Sequence, residues 1–134
     1  TDEKRLDELD VNYRRNESVK LGEWTPSQIS TTNTTLTWNV TDQIKGPGEF
    51  HVAFNYRHGA KGLTIHDVAL LEDGHEVDRD GHSGFTGAES RNPVYILKLP
   101  AEKNDAKYIL QANVAGEGGT DSSGDVSWVF VPNQ

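Results

Sequence analysis

The sequence predicts an all-β fold, an antiparallel β-sandwich of jelly-roll type with about eight strands. Three observations predict it. Apolar residues recur with a period of two from about Val19 onward, turn-forming residues punctuate these runs at short spacing, and no ten-residue helical pattern interrupts Val19 to Val131. The last observation disfavours a βαβ arrangement, which needs a crossover helix between parallel strands.

Taken in order, residues 1–18 stand apart from the rest. They are dense in charge, with Leu6, Leu9 and Tyr13 spaced by three and four, and read as a charged linker or a short helix. The β-sandwich module is assigned to 19–134. Leu36, Trp38 and Val40 alternate with Thr35, Thr37 and Asn39, which puts one row on a core and the other outside. Phe50, Val52, Phe54 and Tyr56 alternate in the same way with His51, Ala53, Asn55 and Arg57. In Leu63 to Leu71 the parity slips around His66 and Asp67, as a β-bulge would make it do. Tyr95, Leu97 and Leu99 share a face, as do Tyr108, Leu110, Ala112 and Val114, and then Val126, Trp128 and Phe130.

Turn chemistry separates the runs. Gly46-Pro47-Gly48 and His58 to Gly62 divide successive strands. Asp73-Gly74 suits a two-residue hairpin, since both residues tolerate positive φ. Lys103-Asn104-Asp105 reads as a loop. Gly116 to Gly124 is Gly-rich but lacks the Lys and the following helix of a phosphate loop, so it reads as a hairpin connection. The inward rows supply about twenty apolar side chains, enough to build a core at this chain length without a metal or a disulfide.

Composition removes several function classes. A net charge of −8 disfavours nucleic acid and anionic lipid, which bind through clustered Lys and Arg. No apolar run approaches the roughly 20 residues that span a bilayer, so no membrane insertion is expected. Without Cys there is no disulfide, no Cys-ligated zinc and no thiol nucleophile. Met is also absent and the chain starts at Thr1, which reads as an excised piece or a processed form of a longer protein.

The densest polar stretch is Glu72 to Gly87, and it admits three readings. Its carboxylates and His residues offer acid–base groups, but glycosidic chemistry needs two carboxyls facing each other about 5–10 Å apart, and Asp78 and Asp80 share one strand face. Asp78 and Asp80 with loop carbonyls also offer oxygens to calcium, although no EF-hand spacing is present. The third reading is a solvated strand followed by a Gly-punctuated loop whose polar side chains bond the loop backbone. Within that loop His82 suits a structural role, donating to a backbone carbonyl. The five His residues form no His-x-x-x-His pair, so zinc is not indicated. No Gly-x-Ser-x-Gly nucleophile motif occurs. Asn16, Asn33 and Asn39 match the glycosylation acceptor pattern. Trp38 and Trp128 fall on inward rows and are assigned to the core. Trp24 precedes Thr25-Pro26 at a strand end, where it either offers a flat platform to a sugar ring or closes the end of the core.

Three blocks, read together, carry a resemblance. They are Val19 to Gln28; Thr37 to Asp42 leading to Gly48 to Tyr56; and a third that runs from Leu70 to Gly74, through Asp80-Gly-His82-Ser-Gly84-Phe-Thr-Gly87 and Tyr95 to Leu99, to Tyr108 and Gly118 to Gly124. This pattern resembles the C-terminal β-sandwich module of Bacteroidetes glycoside hydrolases, notably β-N-acetylhexosaminidase-like enzymes. The Asp-x-His-x-Gly-x-x-Gly element is its most specific part. The resemblance implies a galactose-binding-like jelly roll in a periplasmic or extracellular bacterial protein. The catalytic carboxylates of such enzymes lie in an upstream barrel, so no catalytic role transfers to this chain. It further implies an accessory role, either binding glycan or packing against the catalytic domain and mediating subunit contacts. For the glycan-binding role the candidate ligand-binding residues are Trp24, Arg57 and His82, with calcium at Asp78 and Asp80 as the possible cofactor.

Overall fold

The structure, a computed structural model, describes residues 18–88 and 92–132. It is an antiparallel β-sandwich of nine strands. One sheet has the order β1-β9-β3-β7, made of β1 (Val19–Trp24), β9 (Ser123–Pro132), β3 (Gly48–His58) and β7 (Val94–Leu99). The other has the order β2-β8-β4-β5, made of β2 (Thr34–Asn39), β8 (Tyr108–Glu117), β4 (Gly62–Glu72) and β5 (His75–Asp80). The short β6 (Gly84–Thr86) pairs with one end of β4. Most of the charged segment expected to be a linker or helix, and Asn16 with it, lies outside the described residues.

The period-two rows do what their spacing requires. Phe50, Val52 and Phe54 are fully buried and meet Tyr95, Leu97, Val126 and Trp128 of their own sheet, with Ile65, Leu70, Leu110 and Val114 on the other. Aromatic rings pack against one another along the inner face of the four-stranded sheet, and Trp38 of β2 reaches across to Phe54 at 6.3 Å. Phe50 lies 4.4 Å from Trp128, and Phe54 meets Tyr95 edge-on at 5.7 Å. The parity slip in β4 is a bulge, with the register shifting between Ile65 and Asp67. The extra residue, His66, is exposed, and the buried row resumes at Val68. Asp73 and Gly74 form the two-residue hairpin with φ values of 50° and 85°.

Three sequence expectations change. The Gly116 to Gly124 segment does not close a hairpin, because β8 and β9 belong to different sheets. It crosses between the layers and docks on the β3–β4 loop, where Lys61 N donates to the Asp121 carbonyl at 2.8 Å and Ala60 N to the Asp121 carboxylate at 3.0 Å. The ninth strand, β6, was hidden in a Gly-punctuated stretch too short to show a period. Trp38 is only half-buried. Its ring packs over Gly22 and its Nε1 donates to the Glu23 carbonyl at 3.2 Å, so it covers the outer edge of β1.

Candidate functional site

The candidate site is a groove of about 520 Å³ on the outer face of the four-stranded sheet. The strand register explains why the surface dips there. Lys20, Ser127 and Ala53 lie in one row across β1, β9 and β3, and the paired Ser127 and Ala53 are short, so the middle of the row is low. Longer side chains rim it: Lys20, His51, Asn55, Arg57 and Asn92, with Asp125 among them. Arg57 sits at a second bulge, where the register of β3 on β9 shifts between Tyr56 and His58.

The rim groups hold one another. Asn55 Nδ2 donates to Asp125 Oδ1 at 3.0 Å and to Ser127 Oγ at 3.1 Å. Arg57 Nε donates to the other Asp125 oxygen at 2.9 Å. Asn92 Nδ2 donates to Asn55 Oδ1 at 3.2 Å, and Thr86 Oγ1 donates to Asn92 Oδ1 at 2.9 Å. Lys20 pairs with Glu23, and that hydrogen bond holds its ammonium above the ordinary lysine range, with the Asp125 carboxylate adding to the effect. His51 Nε2 lies 3.1 Å from Glu49 Oε1. The result is an ordered set of amide, hydroxyl, guanidinium and carboxylate groups around a shallow floor.

The residues singled out from sequence separate into three places. Arg57 lies on this groove. Trp24 does not present a platform: it is fully buried, its Nε1 donates to Ser122 Oγ at 3.1 Å, and its ring lies 6.1 Å from Phe54. It closes the end of the core because β1 pairs there with Gly124, where any Cβ would strike the indole ring.

Asp78, Asp80 and His82 gather at the corner where β5 meets β7, and the two carboxylates do not mostly face water, whereas His82 stays exposed. Asp78 Oδ2 accepts the Lys98 N–H at 2.7 Å and Asp80 Oδ2 accepts the Ile96 N–H at 2.9 Å. A bulge on β5 between Glu76 and Asp78 turns the two carboxylates toward β7. Calcium takes six to eight oxygens, whereas these carboxylates face amide donors, so the pair does not fit that ion. Among the described residues no group of three or more His, Asp or Glu could hold a metal. His82 bonds Asp80 Oδ1 through Nδ1 at 2.6 Å, not a backbone carbonyl, and its ring stacks on Tyr95 at 4.1 Å. Tyr95 in turn is held above the usual phenol range, first by burial and then by the Asp80 and Asp67 carboxylates. The Asp-x-His-x-Gly-x-x-Gly element is therefore a structural clasp. Asp80 ties down β7, His82 lids Tyr95, Gly84 makes room for the Tyr95 hydroxyl, and Gly87 lies against Gly62 and Phe85.

Sequence reasoning missed Asn55, Asn92, Asp125 and Ser127 as site residues. The signal was present for two strands, since Asn55 lies on the outward row of β3 and Asp125 and Ser127 on that of β9. What was absent was the pairing of β3 with β9, which brings together residues 70 positions apart. No described helix is long and apolar enough to cross a membrane. Neither a protein-family model nor a curated protein matches the chain.

Proposed function

We propose that the chain is a non-catalytic, carbohydrate-binding-type accessory module of a secreted or periplasmic glycoside hydrolase. The observation that supports this most is the groove floored by Ala53 and Ser127, whose rim groups are already fixed by mutual hydrogen bonds. Sugar hydroxyls both donate and accept, and amides, a hydroxyl and a guanidinium–carboxylate pair answer both needs. Groups held in place before binding lose little side-chain entropy on contact, which favours affinity. Recognition runs through hydrogen bonds and not through tryptophan stacking, because Trp24 and Trp128 are buried and the half-buried Trp38 does not line the groove.

A domain that packs on a catalytic barrel through an apolar face would need a contiguous patch of several hundred Å². The exposed large apolar side chains among the described residues are Val19 and Phe85, which stand on different sheets. The polar groove therefore carries more weight than a packing face.

A glycan array followed by titration calorimetry on the 134-residue chain tests the proposal. The expected affinity lies between about 1 µM and 1 mM, or about −8 to −4 kcal/mol. Arg57→Ala and Ala53→Phe, which fills the floor, should each abolish it while leaving the fold intact by circular dichroism. Absence of binding to every glycan would overturn the proposal.

A further inference from the structure

We infer that the groove takes an uncharged oligosaccharide and turns away uronate and sulfated glycans; this rests on the carbohydrate-binding reading above. The positive charge along the groove is already spoken for. The permanent cations among the described residues lining the groove are Lys20 and Arg57. Arg57 is bonded to Asp125 at 2.9 Å and Lys20 to Glu23 at 2.5 Å. His51, the remaining basic group, lies 3.1 Å from Glu49. Two carboxylates, Asp125 and Glu23, thus take the two permanent cations and a third, Glu49, faces His51, inside a protein whose net charge is −8. A carboxylate or sulfate entering the groove would have to compete with Asp125 for Arg57 against an unfavourable field.

A neutral sugar meets no such penalty. Arg57 and Asp125 lie side by side, and Arg57 retains Nη donors beyond the Nε–H that Asp125 takes. Adjacent ring hydroxyls can then use both partners at once, one donating to the carboxylate while its neighbour accepts from the guanidinium. Asn55, Asn92 and Ser127 provide further uncharged donors and acceptors around the same floor.

The test is calorimetry on the 134-residue chain with defined hexasaccharides. The neutral probes are cellohexaose, chitohexaose and mannohexaose, and the anionic probes are hexagalacturonate and a heparin hexasaccharide. The expected result is binding to at least one neutral probe, with Kd unchanged within about twofold between 20 and 300 mM NaCl, because no net ion pair forms. Asp125→Asn should weaken that binding at least tenfold. Arg57→Gln serves as a second variant, since the Arg57 side chain is 59% exposed and its replacement spares the core. Tighter binding of either anionic probe, weakening with salt and strengthened by Asp125→Asn, would overturn the inference while leaving the carbohydrate-binding reading in place. Failure of all five probes to bind, together with a blank glycan array, would overturn that reading and the inference with it.

Discussion

Asp80 bonds Ile96 as a neighbouring strand would. Its carboxylate accepts the Ile96 N–H at 2.9 Å along the side of β7 that faces away from β3, and Asp78 does the same for Lys98 at 2.7 Å. An edge strand with unpaired amides is a template for pairing with another chain, and two inward-turned carboxylates remove that opening without adding a strand. Asp80 also accepts from His82 through its second oxygen. Asp80→Ala should therefore cost about 1.5–3 kcal/mol, the range for a charge-assisted hydrogen bond, and Asp80→Asn less, since one acceptor remains. Urea denaturation measures both. Asp78→Ala/Asp80→Ala together leave the Ile96 and Lys98 amides on the edge of β7 bare, so concentration-dependent self-association should appear by light scattering. A monomeric double variant of native stability would contradict this account of the corner.

Gly84 belongs to the same corner for a different reason. A Cβ there would run into the Tyr95 hydroxyl and come within 2.8 Å of Pro93 Cβ. Tyr95 is fully buried and reaches the Ile65 carbonyl, so its ring has little room to withdraw. Gly84→Ala is expected to destabilise by about 1–3 kcal/mol through overpacking, whereas Gly81→Ala, where a Cβ meets nothing, should be within about 0.5 kcal/mol of neutral. Equal melting temperatures for the two variants would refute the steric argument.

How far the sequence could be read follows from the range of each interaction. Local signals came through well. Asp73-Gly74 formed its two-residue turn because both residues reach positive φ, and the bulge at His66 showed itself as a slip in a two-residue rhythm. Signals that depend on which strands become neighbours did not. Asp78 and Asp80 looked solvent-facing because nothing near them in sequence announces that β7 lies alongside. Trp24 sat beside a turn, where a buried partner such as Ser122, 98 positions away, is invisible. The groove is the extreme case. Its floor needs the small side chains Ala53 and Ser127 to fall opposite each other, and only the β3–β9 register sets that.

Trp24 and Ser122 yield a prediction that separates fold from binding. Both are fully buried, and the indole N–H gives Ser122 Oγ its partner across the end of the core. Trp24→Phe keeps most of the apolar volume but leaves the hydroxyl without that bond, at an expected cost of about 1–3 kcal/mol. Trp24→Ala adds a cavity and should cost about 3–5 kcal/mol. Since the ring reaches no solvent, glycan affinity of folded Trp24→Phe should match the parent chain. A loss of affinity with unchanged stability would return Trp24 to the binding surface.

The acid limb of stability should depend on Asp73. Its carboxylate is held below the ordinary aspartate range, first by the Lys107 backbone N–H, which it accepts at 2.9 Å, and then by the Lys103 ammonium at 3.3 Å. A carboxyl whose folded pKa lies below its unfolded value of about 3.9 stabilises the fold above that value. The contribution is lost as pH falls through the lower, folded value. Asp73→Asn isolates the charge, because Asn tolerates the φ of 50° and can still accept from Lys107 N. The melting-temperature gap between parent and variant should therefore be widest near neutral pH, narrow as pH falls below the unfolded value of about 3.9, and close once the folded carboxyl is protonated too. Salt should shrink the gap at neutral pH, since Lys103 and Asp73 are both well exposed and screening weakens their attraction. A gap that stayed constant from pH 7 to pH 2 would mean that the turn geometry, and not the charge, is what Asp73 supplies.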